Sequence, residues 1–171
     1  NSYHDAKKKI LLAKNSISYE TDPYKLFEWI TDTKPKKIKL KNLPYRYQMV
    51  ANNVINDSKS TNYHSLSYAL KEAKNFFKGL NFVLIVCGDP KKENFRNISL
   101  HEPEEVFIFG VHSKDIDKCI NHPKKTMMSS LSQTLETIYK QRTTKNILFS
   151  PGYPSGKDFN NFKERGEHFN L

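Results

Sequence analysis

Three loops collect the side chains whose types and spacing could do chemistry. Asp57-Ser-Lys-Ser-Thr-Asn62 places an acid, a lysine and a run of small hydrogen-bonding side chains directly after the apolar pair Val54-Ile55. Gly88-Asp-Pro-Lys-Lys92 follows the apolar run Phe82–Cys87, and Ser150-Pro-Gly-Tyr-Pro-Ser-Gly-Lys-Asp158 follows Ile147-Leu-Phe. Lysines and helix-start amides at the carboxyl ends of strands are the means by which open α/β sheets hold anions. Lys59, Lys91 and Ser155 along one sheet edge would suit a small dicarboxylate. Each loop also has a purely structural reading. Thr61 or Asn62 could cap the next helix with Lys59 in water, the Gly88 loop could be a turn with exposed lysines, and Ser155 could be another cap. Spacing leaves both readings open.

The elements around these loops alternate. Asp22-Pro23 before Leu26, Phe27, Trp29 and Ile30 marks a short helix with Pro in its first turn. Met49–Asn56 reads as one strand, and Leu66, Leu70, Ala73 and Phe77 recur at helical spacing, giving a helix over 62–78. The wholly apolar runs at 82–88, 106–110 and 146–150 read as strands buried on both faces of a parallel sheet. Between them the pattern gives a short helix over 113–120, capped by Ser113, and an amphipathic helix through Met127, Leu131, Leu135 and Ile138. A last helix covers about 157–169 with Phe159, Phe162 and Phe169. Strands alternating with helices imply an α/β fold with a doubly wound, mostly parallel sheet. Residues 1–42 form a basic, partly helical arm, and 43–171 form the main domain.

Composition narrows the partners. The chain of 171 residues carries 28 Lys+Arg against 18 Asp+Glu, a net charge of +10, which favours an anionic ligand. Ten of the lysines lie in residues 1–42, against five acidic residues there. No basic/aromatic ribonucleoprotein pattern accompanies them, so a solvated charge run is preferred to a nucleic-acid patch. Cys87 and Cys119 stand far apart, and the six His residues show no metal-ligand spacing, so neither a disulfide framework nor a metal site is expected. A reducing, cytoplasmic setting fits, and no apolar run reaches the length of a membrane span. There is no GxxxxGK[ST] phosphate loop, no GxGxxG fingerprint and no GxSxG elbow.

The motifs LPYR (43–46), NDSKSTN (56–62), CGDPK (87–91) and SPGYPSGKDFNNFKERGEHF (150–169) together resemble the C-terminal domain of the Mur ligases, in the D-glutamate-adding branch. The resemblance covers 43–171 well and 1–42 poorly. It implies a Rossmann-like fold and a part in ATP- and Mg2+-dependent amide formation during peptidoglycan synthesis. The terminal carboxylate of UDP-N-acetylmuramoyl-L-alanine would become an acyl phosphate that the amine of D-glutamate attacks. By motif, Lys59, Thr61 and Lys91 would hold the side-chain carboxylate of D-glutamate, and Ser155 with the backbone near Phe162 its α-carboxylate. Arg46 would meet phosphate and Asp57 the ribose of the nucleotide. No covalent catalytic residue is implied in this chain, so positioning and charge would carry the chemistry. A monomer is expected. The ATP-binding central domain and the UDP-binding N-terminal domain would lie outside the chain, which alone should not ligate. Departures occur: Tyr45 stands where a His is usual, Gln48 where an acid is, Cys87 replaces the first of a Gly pair, and Gly156-Lys157 replaces a larger apolar residue and an acid. Alternatives are another amino-acid ligase of the superfamily, folylpolyglutamate synthetase, or a non-catalytic basic binding module.

Overall fold

The computed structural model describes residues 22–36, 43–92, 97–141 and 146–170. The chain divides into two compact units, Asn1–Lys41 and Asn42–Leu171. In the first, helix α1 (Pro23–Thr31) starts as the sequence indicates. The Asp22 side chain accepts from the Tyr24 N–H at 2.8 Å, Pro23 takes the first turn, and Asp32 ends the helix in the left-handed region at φ 51°. None of its residues is buried, and Phe27, Trp29 and Ile30 are exposed. The lysine runs at 7–9 and 37–41 lie outside the described residues.

The second unit opens with β1 (Gln48–Ala51) and β2 (Val54–Asn56), an antiparallel hairpin. The single strand expected over 49–56 is thus two, because Asn52-Asn53 makes the turn and asparagine tolerates turn backbone. Helix α2 (Tyr63–Phe76) follows with Asn62 as its cap, accepting from the Ser65 N–H. Then come β3 (Val83–Cys87), a 3-10 turn at Pro90–Lys92, β4 (Ile98–Ser99) and β5 (Glu105–Phe109). Helix α3 (Ser113–Cys119) begins at Ser113 itself. Its cap position is His112, with no side-chain bond, so the expected Ser113 cap is corrected.

Strands β6 (Ile120–Asn121) and β7 (Lys125–Met128) precede α4 (Leu131–Gln141). Met127 therefore belongs to a strand, paired with Ile108, and not to the helix its spacing indicated. Ser130 and Gln133 explain the break. The Ser130 hydroxyl accepts from Gln133 N–H and caps the helix, and the Gln133 side chain accepts from Ser129 N–H, so the helix starts afresh there. Strand β8 (Ile147–Gly152) and helix α5 (Phe162–Asn170) complete the unit. The last helix starts five residues later than expected, because Asn161 Oδ1 accepts from the Lys163 and Glu164 N–H groups and caps it there. Ser155, six residues before the Asn161 cap, does not cap this helix.

The main sheet runs β1-β2-β8-β3-β5-β7, parallel throughout except for β1, and a separate pair joins β4 to β6. Alternation along its strands builds two cores. Leu84, Val86, Val106, Ile108 and Leu148 pack with Leu66, Leu70 and Ala73 of α2 and Ile116 of α3. Val83, Ile85, Phe107, Ile147 and Phe149 pack with Leu131 and Ile138 of α4 and Phe169 of α5. Helices thus cover both faces, which is why β3 and β5 are apolar at nearly every position. Each fully buried large side chain contributes roughly 1.5–3 kcal/mol of transfer free energy. This arrangement is the doubly wound α/β class, and it leaves the carboxyl ends of β2, β3 and β8 open for a site.

Candidate functional site

Asp57 leaves the end of β2 and is almost wholly buried. Its N–H donates to the Phe149 carbonyl at 2.7 Å, its Oδ1 accepts from Tyr47 N–H at 3.0 Å, and its Oδ2 accepts from the Ser150 hydroxyl at 3.0 Å. Burial pushes its carboxyl up to about 6, against the pull of those two donors and of the Arg46 and Arg165 charges. A carboxylate accepts about four hydrogen bonds, so lone pairs remain for a ligand hydroxyl.

Residues 45–47 form a strained lip beside it. Tyr45 and Tyr47 have φ 61° and 47°, conformations that cost free energy unless the surroundings hold them. The surroundings do so. Tyr45 N–H donates to Gln48 Oε1 at 2.9 Å, Tyr45 carbonyl accepts from Lys59 N–H at 2.9 Å, and the Tyr45 ring lies where a side chain on Gly166 would go, 2.4 Å from that hypothetical Cβ. The Gln48 side chain thus holds the backbone at position 45. Between them Arg46 reaches a cleft of about 350 Å³, lined also by Tyr47, Asp57, Lys59, Ser60, His64 and Tyr68.

A second cleft of about 420 Å³ is lined by Thr61, Asp89, Pro154, Ser155, Gly156, Lys157 and the α5 start, including Phe162. Lys59 links the two clefts, because its ammonium sits 4.1 Å from the centroid of the Phe162 ring. The expected site residues thus separate into Arg46, Asp57 and Lys59 around the first cleft and Thr61, Ser155 and Phe162 around the second. Lys91 lines neither. It is exposed on the 3-10 turn, with its N–H donating to Asp89 Oδ1 at 2.9 Å.

Sequence reasoning missed Arg165, which is fully buried beneath both clefts. Its Nε donates to Ser58 Oγ, one terminal nitrogen to the Ser58 carbonyl at 2.7 Å, and the other to the Tyr153 carbonyl at 3.0 Å. It therefore fastens the loop bearing Asp57, Lys59 and Thr61 to the loop bearing Ser155. Ser58 Oγ in turn donates to the Phe162 carbonyl, and Asn56 Nδ2 donates to the Gly166 carbonyl. The signal was available: Arg165 lies three residues from Phe162 and four from Phe169, on the apolar stripe of the helix, where a charge must be paired. Cys87 is buried against this guanidinium, and burial pushes its thiol up to about 12, so it is inert. Gly88 next to it, at φ 114°, is required, since a Cβ there would stand 2.2 Å from the Pro154 carbonyl oxygen.

Among the described residues, no group of three or more His, Cys, Asp or Glu side chains converges to hold a metal ion. No helix there is long and apolar enough to cross a membrane.

A mostly parallel α/β sheet flanked by helices, with two clefts where its strands end, defines a Rossmann-like domain. No protein-family model matches the chain. Relatives do. The chain is 32% identical over 142 residues to UDP-N-acetylmuramoylalanine--D-glutamate ligase of Petrotoga mobilis, covering 77% of this chain and 31% of that protein. It is 35% identical over 136 residues to the ligase of the same name from Buchnera aphidicola, covering 75% of this chain and 30% of the relative. The corresponding protein of a Hydrogenobaculum species gives 34% over 136 residues, covering 75% and 32%. The chain is a relative of the Mur ligases, and the branch it resembles is the D-glutamate-adding one. The aligned part spans about a third of the length of those relatives.

Proposed function

We propose that the chain is the amino-acid-binding part of a ligase that adds D-glutamate to UDP-N-acetylmuramoyl-L-alanine in peptidoglycan synthesis, and that it contributes one wall of the nucleotide site. The observation that carries this reading is the pair of adjoining clefts bridged by Lys59 over Phe162. In the second cleft, Thr61 and Lys59 would receive the side-chain carboxylate of D-glutamate and Ser155 the α-carboxylate, with Lys91 reaching in from the rim. In the first, Arg46 would meet a phosphate, and Asp57, held by Tyr47 and Ser150, would accept from ribose hydroxyls. The aromatic rings of Tyr47 and Tyr68 beside them suit a nucleotide. ATP, when bound with Mg2+ by the rest of the ligase, supplies the phosphoryl group that activates the acceptor carboxylate. This chain's own work is to hold the amine donor in place and balance its charge.

The test is titration of D-glutamate into the chain, followed by amide chemical shifts at two salt concentrations. Weak, salt-sensitive binding that Lys59→Ala weakens about tenfold is expected. A chain that ignores D-glutamate yet binds nucleic acid with affinity falling steeply with salt would replace this reading with that of a basic binding module.

A further inference from the structure

At the start of α5 the N–H groups of Asn160, Lys163 and Glu164 are already engaged. Asn161 Oδ1 accepts from Lys163 N–H at 2.9 Å and Glu164 N–H at 3.1 Å, and Glu164 Oε2 accepts from Asn160 N–H at 2.7 Å. The Lys59 ammonium lies over the Phe162 ring at the border with the other cleft, where it can serve one carboxylate. Asp89 adds a negative charge to the lining, so a second carboxylate there needs a facing cation.

Lys157 meets that need. It lines the same cleft as Ser155, two residues away, is exposed, and has no hydrogen-bond or ion-pair partner among the described residues. The turn that carries it is fixed. Gly156 has φ 68°, and a Cβ there would lie 3.1 Å from the Asp89 Cβ and 3.3 Å from its backbone nitrogen. Glycine suits this position, since a side chain would be strained at that φ and would press on Asp89.

We propose that Lys157 is a specificity-determining residue of this cleft, its ammonium taking the α-carboxylate of an acidic amino acid beside Ser155. The side-chain carboxylate is left to Lys59 and Thr61. This inference rests on the amino-acid reading of the second cleft and assigns the two carboxylates to different lysines.

Three probes separate the assignments: D-glutamate, D-glutamine with its neutral side chain, and D-isoglutamine with its neutral α-carboxamide. Binding of each to the full chain is measured for the parent, Lys157→Ala and Lys157→Glu, with unfolding temperature as the control for fold. Lys157→Ala is expected to weaken D-glutamate and D-glutamine alike, by roughly tenfold, the worth of one charge-assisted bond. Lys157→Glu weakens them further, and D-isoglutamine binds parent and variant equally. If Lys157→Ala binds D-glutamate as the parent does, Lys157 has no such role while the cleft assignment stands. A loss that affects D-glutamate but spares D-glutamine puts Lys157 at the other carboxylate and overturns the proposal. Failure of the parent to bind D-glutamate removes the cleft reading and this inference with it.

Discussion

The two clefts lie side by side on one sheet edge, yet they are prepared in different ways. In the first, the polar groups are locked before any ligand arrives: Asp57 is held by Tyr47 and Ser150, and the strained Tyr45–Tyr47 lip is held by Gln48, Lys59 and Gly166. In the second, the cations are loose. Lys157 has no partner among the described residues, and Lys91 stands on an exposed turn. A locked site loses stability when it is altered, and a loose one loses affinity alone. Arg165 underlies both, so its removal should damage both.

That contrast can be broken in order of effect. Arg165→Leu strands the Ser58 and Tyr153 carbonyls and is expected to cost about 3–5 kcal/mol in denaturant unfolding, with Arg165→Lys recovering part of it. If Arg165→Leu is as stable as the parent, the shared foundation is not real. Asp57 comes next. Its folded carboxyl is raised above its ordinary value to about 6, so it destabilises the fold as pH rises. Between about pH 4 and 6 the unfolded chain has released this proton and the folded chain still binds it, so stability falls across that window, by up to about 3 kcal/mol. Asp57→Asn should flatten the curve there; an unchanged slope would assign the dependence to other groups. Lys59→Ala should leave unfolding within about 0.5 kcal/mol of the parent and weaken D-glutamate about tenfold. Lys91→Ala, acting from outside the lining, should weaken it by about threefold or less. A Lys91 effect equal to that of Lys59 would mean that the turn closes on the ligand.

Much of this was legible from residue order. The apolar runs at 82–88, 106–110 and 146–150 read as buried parallel strands and are so within two residues at either end, and Asp22-Pro23 and the helix after Asn62 sat where caps and periodicity put them. The errors arose where a pattern ran across a break. Met127 matched the helical spacing of Leu131 and Leu135, but Ser130 and Gln133 restart the backbone between them. Met49–Asn56 matched a strand, but Asn52-Asn53 folds it back on itself. Periodicity records which residues are buried and not where the chain turns, so capping and turn residues must settle the boundaries.

By itself, the sequence determined the alternation of strands and helices, the cationic balance and the motifs that tie the chain to the Mur ligases, since these depend on residue type and local spacing. Only the tertiary structure decided which groups share a cleft. It set Lys59 on the Phe162 ring, placed Lys91 outside the lining, and put Arg165 between Ser58 and Tyr153. Those pairings join residues more than a hundred positions apart, or fix the direction of a long flexible side chain. Neither is set by near neighbours in the chain; both follow from how the sheet brings its loop ends together.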